Sequence, residues 1–286
     1  MNLYKNYDQA ALNRQYNNRL QSPDFAIHLE NWERWSREAE NDHSFSYDIR
    51  YGSLERERLD ILPSAAKDSK VLVFIHGGYW HKFDKSSFRF VAAAFHKYDI
   101  TTVIINYPLA PVHSVDQIVA FTRAALYWVN ANIGRFNGDS HRIYIAGHSA
   151  GGHLAAMQLV SSSQQMKGLP YQNIKCIITL SALFNLVPIQ LSEINEMTVM
   201  DKEMALRNSP VNKEPLAKIP MLVAVGEDET QEFKNQSEEL VNAWRARLPV
   251  NLSILSALNH YSILSAFADK GSAFHNQVCA MMEVSR

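Results

Sequence analysis

Apolar positions along this chain gather into short blocks rich in β-branched residues, set about 30 to 45 residues apart. They are 71–76 (VLVFIH), 100–107 (ITTVIINY), 142–148 (RIYIAGH), 174–180 (IKCIITL), 219–226 (IPMLVAVG) and 250–258 (VNLSILSAL). Unbroken apolar runs of this length suit strands covered on both faces, as in a parallel sheet. The segments between them change period. Over 114–133, Val115, Ile118, Val119, Thr122, Leu126 and Val129 share one helical face, with Ser114 and Asp116 suited to its start. Over 232–247, Phe233, Leu240, Val241 and Trp244 recur among charges. The spacing leaves room for a helical crossover between successive strands. The pattern predicts an alternating α/β chain with one mostly parallel sheet.

Three stretches depart from the alternation. Residues 1–44 are polar, but Ser22-Pro23-Asp24 suits a helix start, and Phe25, Leu29, Trp32 and Trp35 follow at helical spacing. They predict an N-terminal helical extension, either packed on the domain or acting as an aromatic lid. Segments 45–52 and 57–62 predict an antiparallel hairpin ahead of the parallel strands. Segment 184–218 has weak periodicity and contains Pro188, Pro210 and Pro215, which predicts an inserted cap of short helices. Nothing in the 286 residues reads as a linker, so a single domain over 1–286 is expected.

Composition narrows the function. Charged residues make up 20% and the formal net charge is −1, so no global field favours nucleic acid or an anionic membrane. Two cysteines, Cys176 and Cys279, cannot form a disulfide framework. The N-terminus has no apolar signal core, and no run of 18 apolar residues occurs, so a cytoplasmic protein is expected. Eleven histidines form no H-E-x-x-H, and no phosphate-binding glycine loop is present. No metal and no cofactor are expected, and the partner is a small-molecule substrate. Aromatics on the N-terminal helix fit either a homodimer or a covered core.

The chemistry concentrates at strand ends. Gly147-His148-Ser149-Ala150-Gly151 lies between a strand and a helical stretch, where a sharp turn would lift the Ser149 hydroxyl above the sheet edge. His76-Gly77-Gly78-Tyr79-Trp80 ends the strand at 71–76. Gly77, Gly78 and the Ala150 amide are the expected oxyanion donors, with the Tyr79 amide as a substitute for one glycine. His76 is read as a loop anchor. A serine nucleophile needs a base and an acid that orients it, in the chain order Ser, acid, His. His260 stands after the strand at 250–258, and Glu227-Asp228-Glu229 after the strand at 219–226. The G-x-x-acid spacing from Gly226 selects Glu229, with Asp228 as the alternative. Tyr79, Trp80 and Phe184 are expected walls for an aryl ring.

With these motifs in hand, the chain resembles the α/β-hydrolase superfamily, and within it the arylformamidase (kynurenine formamidase) group of the H-G-G-x-W type. The resemblance rests on HGGYW at 76–80, GHSAGGHLAA at 147–156, the V-G-E-x-x-x-x-E-F stretch at 225–233 and NHYSI at 259–263. Tyr16-Asn17-Asn18-Arg19, Pro23-Asp24-Phe25 and Leu59-Asp60-Ile61 extend it over nearly the whole chain. It implies an α/β-hydrolase fold, Ser149 as nucleophile, His260 as base and an acid at Glu229, where members usually carry aspartate. It also implies hydrolysis of an N-formyl arylamine, N-formylkynurenine giving kynurenine and formate. Cleavage of short-chain or aryl esters by the same machinery is the alternative, and a noncatalytic hydrolase-fold binder is the reading from another class.

Overall fold

The computed structural model describes residues 2–162, 165 and 168–284. Eight strands form one sheet: β1 (Ser46–Arg50), β2 (Arg58–Leu62), β3 (Ser69–Ile75), β4 (Ile100–Ile105), β5 (Gly138–His148), β6 (Ile174–Leu180), β7 (Met221–Gly226) and β8 (Val250–Leu255). Their order is β1-β2-β4-β3-β5-β6-β7-β8. β2 runs antiparallel to β1 and β4, and the pairings from β4 to β8 are parallel. The α/β class, the hairpin and all six apolar blocks therefore appear as read from the sequence. Boundaries moved for local reasons. Pro220 has no N–H to place in the ladder, and β7 begins after it at Met221. β4 ends at Ile105, and the Asn106 side chain beyond it ties to the loop after β3.

Helices α1 (Gln9–Tyr16), α2 (Asn18–Gln21), α3 (Phe25–Asp42), α4 (Arg89–His96), α5 (Val115–Asn132), α6 (Ala150–Leu159), α7 (Val187–Gln190), α8 (Asn195–Thr198), α9 (Lys202–Arg207), α10 (Gln231–Trp244), α11 (Ser262–Ala268) and α12 (Ala273–Met281) complete the described elements. The inner strands β3 to β7 bury both faces, which is why their apolar runs do not alternate in polarity, whereas the edge strands β1 and β8 are partly exposed. Val71, Val73 and Ile75 pack with α5, α6 and α10, while Leu72 and Phe74 pack with α3, α4, α11 and α12. The period of two that is hidden in VLVFI thus reappears as a division between two cores.

The N-terminal extension is richer than the single helix expected. Its polar look conceals α1, whose Leu12 and Tyr16, four apart, are buried. Trp32 of α3 is buried as well, and it also reaches the cavity described below, so packing and lid readings converge on one side chain. The proline-rich segment 184–218 is a run of short helices, α7 to α9. The Arg207 guanidinium grips the Asp116 carboxylate at the start of α5 at 2.7–3.0 Å. Gln9 Nε2 donates to the Leu191 carbonyl at 2.9 Å, joining α1 to the same segment.

Neighbouring β4 and β5 leave β3 in opposite directions, which makes the C-terminal ends of β3 and β5 a topological switch point. Crevices at such points are where parallel α/β sheets place their ligands. Ile75 pairs with Gly147, so the loop beginning at His76 and the turn at Ser149 emerge side by side. Gly226 pairs with Leu255, which brings Glu229 and His260 together after the next strand ends.

Candidate active site

Ser149 occupies the turn between β5 and α6 with φ 55° and ψ −122°, a conformation costly for any residue with a side chain. The turn holds because glycines let the backbones touch. A Cβ on Gly151 would lie 2.0 Å from the Ile75 carbonyl oxygen, and one on Gly147 would lie 2.3 Å from that of Gly151. Helix α6 is therefore pressed against β3 and β5, and Ser149 is forced out at its N-terminus. Ala150 is the first residue of α6, so its N–H belongs to the group that a helix leaves without an internal acceptor.

The loop after β3 closes on the serine. A Cβ on Gly77 would stand 2.9 Å from Ser149 Cβ and 2.8 Å from the His148 carbonyl oxygen, so only glycine permits this approach. Gly78, Tyr79 and Trp80 follow at φ 101°, 46° and 59°, a run of left-handed residues that turns the backbone back on itself. The Gly78 carbonyl accepts the N–H groups of His81 and Lys82, each at 3.0 Å. His76 anchors this loop, as read from the sequence. Its ring stacks against Tyr107 (4.5 Å) and Phe88 (5.6 Å), and its nitrogens face the Gly77 carbonyl and Asn106 Oδ1. Loss of water on complete burial lowers its pKa to about 4, so it is neutral near pH 7.

Geometry separates the two candidate carboxylates. His260 Nδ1 lies 2.9 Å from Glu229 Oε2. The other carboxylate oxygen accepts from the Ser181 hydroxyl (2.5 Å) and the Gly226 N–H (2.8 Å). Glu229 is buried, whereas Asp228 is exposed, and it is Glu229 that meets His260. The local reason is the turn that follows β7, where the Glu229 N–H donates to the Gly226 carbonyl and folds this side chain back over the sheet edge.

His260 is buried among rings: His148 at 4.8 Å, Phe233 at 4.9 Å and Tyr261 at 5.5 Å. His148, the variable residue of the elbow motif, lies 2.8 Å through Nε2 from the His260 carbonyl oxygen. Burial, then the neighbouring His260, lowers the His148 pKa to about 3. A neutral His148 thus donates from Nε2 and fixes the backbone that carries His260.

Ser149, His260, Gly78 and Tyr79 share one cavity of about 220 Å³, together with Trp32 and Tyr261. Tyr79 was expected there, and its hydroxyl donates to the Tyr16 carbonyl at 2.7 Å. Trp80 and Phe184 were also expected as walls, and the structure corrects both. Trp80 is fully buried away from the cavity, with its indole N–H donating to His153 Nδ1 at 3.2 Å. Phe184 is fully buried in the α5/α6/α10 core. Their places are taken by residues missed in the site reading: Tyr16 and Arg19 from the N-terminal extension, Trp32 of α3, Tyr261, and Ile194 before α8. Tyr16-Asn17-Asn18-Arg19 carries no catalytic motif, and its likeness to the arylformamidase group is the signal that points to it.

A strained serine at the start of a helix, a glycine loop pressed against it and a carboxylate-bound histidine on a parallel sheet define an α/β-hydrolase. Comparison with known proteins refines the class. The BD-FAE family model matches residues 59–243. Kynurenine formamidase from Danio rerio is 34% identical over 231 residues, covering 78% of this chain and 77% of that protein. Kynurenine formamidase from Salmo salar is 31% identical over 230 residues, covering 77% and 76%. A candidate thioesterase from Silicibacter sp. tm1040 superposes with a TM-score of 0.84 at 26% identity, covering 96% of this chain and 99% of that one. The chain belongs to the BD-FAE family of α/β-hydrolases and to its kynurenine formamidase-like group, and it is a hydrolase. Among the described residues, no helix is long and apolar enough to cross a membrane.

Proposed function

We propose that the protein hydrolyses N-formyl arylamines, N-formylkynurenine to kynurenine and formate, through a Ser149–His260–Glu229 triad. The observation that carries this reading is the Glu229–His260 pair facing the strained Ser149 across one small cavity. The kynurenine formamidases that match more than three-quarters of the chain support the choice of substrate.

Glu229 Oε2 accepts a hydrogen bond from His260 Nδ1–H, which keeps the proton on Nδ1 and leaves Nε2 as the base. Nε2 removes the Ser149 proton as Oγ attacks the formyl carbon. The N–H groups of Ala150, Gly77 and Gly78 stabilise the oxyanion. His260 then gives the proton to the departing aniline nitrogen, and the C–N bond breaks. A water molecule, deprotonated by His260, attacks the formyl-serine, releasing formate and restoring the Ser149 hydroxyl. Formyl is the smallest acyl group, and a cavity of about 220 Å³ bounded by Trp32, Tyr79 and Tyr261 favours a small acyl group beside an aryl ring.

The alternative, a carboxylesterase acting on short-chain or aryl esters, is supported by a 98-residue stretch 35% identical to carboxylesterase NlhH of Mycobacterium tuberculosis. The two are separated by kcat/KM on N-formylkynurenine and on a short p-nitrophenyl ester, with Ser149→Ala as the blank. The formamide is expected to lead by orders of magnitude. A clear lead for the ester overturns the formamidase assignment and retains the triad.

A further inference from the structure

Two cationic side chains and one carboxylate, Glu193, line the cavity. Arg19, in the last turn of α2, and Lys82, in the turn fixed by the Gly78 carbonyl, both line it, and among the described residues neither makes an ion pair. By contrast Lys85, Arg89 and Arg207 each hold a carboxylate. Loss of water, then the charge of Arg19, holds Lys82 below the ordinary lysine range. The intervening His81 is depressed to about 4 by burial, then by Lys82 and Arg19, and so serves as a neutral donor near pH 7. Glu193, the acidic side chain on the lining, accepts from Asn13 Nδ2 at 3.4 Å and forms no ion pair with Arg19 or Lys82 among the described residues. Two cations against one carboxylate leave this concave surface net positive, which is the electrostatic form of an anion site.

Position says which part of a substrate would meet it. Tyr261 packs on His260 at 5.5 Å, Phe25 packs on Tyr261 at 6.1 Å, and the Arg19 guanidinium lies 5.3 Å from the Phe25 ring centre. Arg19 is thus reached from His260 along a row of aromatic rings. His260 delivers the proton to the leaving nitrogen or oxygen, so that row flanks the leaving group rather than the acyl group.

We propose that Arg19 and Lys82 form an anion subsite that binds a carboxylate carried by the leaving-group portion of the substrate. The proposal rests on the serine-hydrolase reading above, and it holds for amide and ester substrates alike. Arg19 presents a planar fork that suits a carboxylate, and Lys82 adds a point charge from the loop that follows β3. Together they select the charged arylamine or phenol over its neutral counterpart.

The test uses two matched pairs on the full-length protein. One is N-formylkynurenine against its carboxamide. The other is 3-(4-acetoxyphenyl)propanoate against its carboxamide. Formamide against ester examines the reaction assignment, while the anionic-to-neutral ratio of kcat/KM within each pair examines the subsite. The ratio is expected to be about 5- to 20-fold in the wild type, the scale of a partly exposed charged pair, and to collapse towards one in Arg19→Gln/Lys82→Gln. It should also fall as ionic strength rises. A wild-type ratio near one in whichever pair is hydrolysed, or a ratio unaltered in the double variant, overturns the subsite. Hydrolysis of neither pair overturns the subsite and the reaction assignment together.

Discussion

Replacing Glu229 by glutamine changes one atom and tests the triad. Three donors converge on this carboxylate: His260 Nδ1–H at Oε2, and the Ser181 hydroxyl and Gly226 N–H at Oε1. A glutamine amide has one oxygen, and the Gly226 N–H can only donate. The amide oxygen therefore keeps the Ser181/Gly226 side, and the NH₂ turns to His260. That NH₂ must donate into Nδ1, which moves the imidazole proton to Nε2, the atom that should accept from Ser149. The opposite rotamer sets the NH₂ against a buried backbone N–H. Either arrangement removes the working tautomer or leaves a clash. Loss of the equivalent orientation in serine triads lowers kcat by roughly 10⁴, about 5.5 kcal/mol of barrier. We expect Glu229→Gln to reduce kcat by about 10³–10⁴ with a smaller change in KM. Steady-state kinetics on the better substrate, with circular dichroism and Tm as controls for folding, read this out. Asp228→Asn, one residue away and exposed, should stay within about twofold. A folded Glu229→Gln enzyme within tenfold of wild type would refute the assignment of Glu229 and the tautomer argument with it.

Other outcomes follow from the same geometry. Ser149→Ala should lower kcat by about 10⁶-fold and abolish the fluorophosphonate adduct seen by intact-protein mass spectrometry; an adduct that persists points to another nucleophile. Gly151→Val sets a Cβ 2.0 Å from the Ile75 carbonyl, so loss of more than about 3 kcal/mol in urea unfolding is expected, and a wild-type midpoint contradicts the packing. Trp80→Phe removes the indole bond to His153, so stability should drop by about 1–3 kcal/mol while KM for aryl substrates holds, and a large rise in KM would return Trp80 to the pocket wall. His76, His148 and His153 are buried and depressed to about 4, 3 and 4, below their unfolded value. The unfolded chain therefore takes up protons first as pH falls, and the stability present above about 6.5 is lost towards the folded pKa values. Three such groups give a slope approaching about 4 kcal/mol per pH unit at pH 5, measurable in urea titrations between pH 7 and 5; a flat profile there would show that they are not buried neutral.

What the sequence determined by itself was local or periodic. Unbroken apolar blocks require strands covered on both faces, and the blocks at 71–76 and 142–148 became neighbours in the middle of the sheet. The elbow was legible because strand, serine and helix are contiguous and Gly147 is demanded by its contact with Gly151 four residues on, whereas the need for Gly151 comes from β3, more than seventy residues away. Glu229 was selected by its spacing from Gly226, yet only the sheet could separate it from Asp228, since pairing of β7 with β8 decides which carboxylate faces His260. The pocket walls were not legible. Trp80 and Phe184 are aromatic and close in sequence to the motifs, but burial of a ring depends on what packs over it, and both turned into the core. Tyr16, Arg19 and Trp32 lie more than a hundred residues before Ser149, and no period or spacing links them to it. Chain folding alone sets α1 to α3 beside the switch point, because the apolar face of α3 and the buried side chains of α1 must find cover. The chemistry was written in short motifs, and the cavity that chooses a substrate was decided by long-range packing.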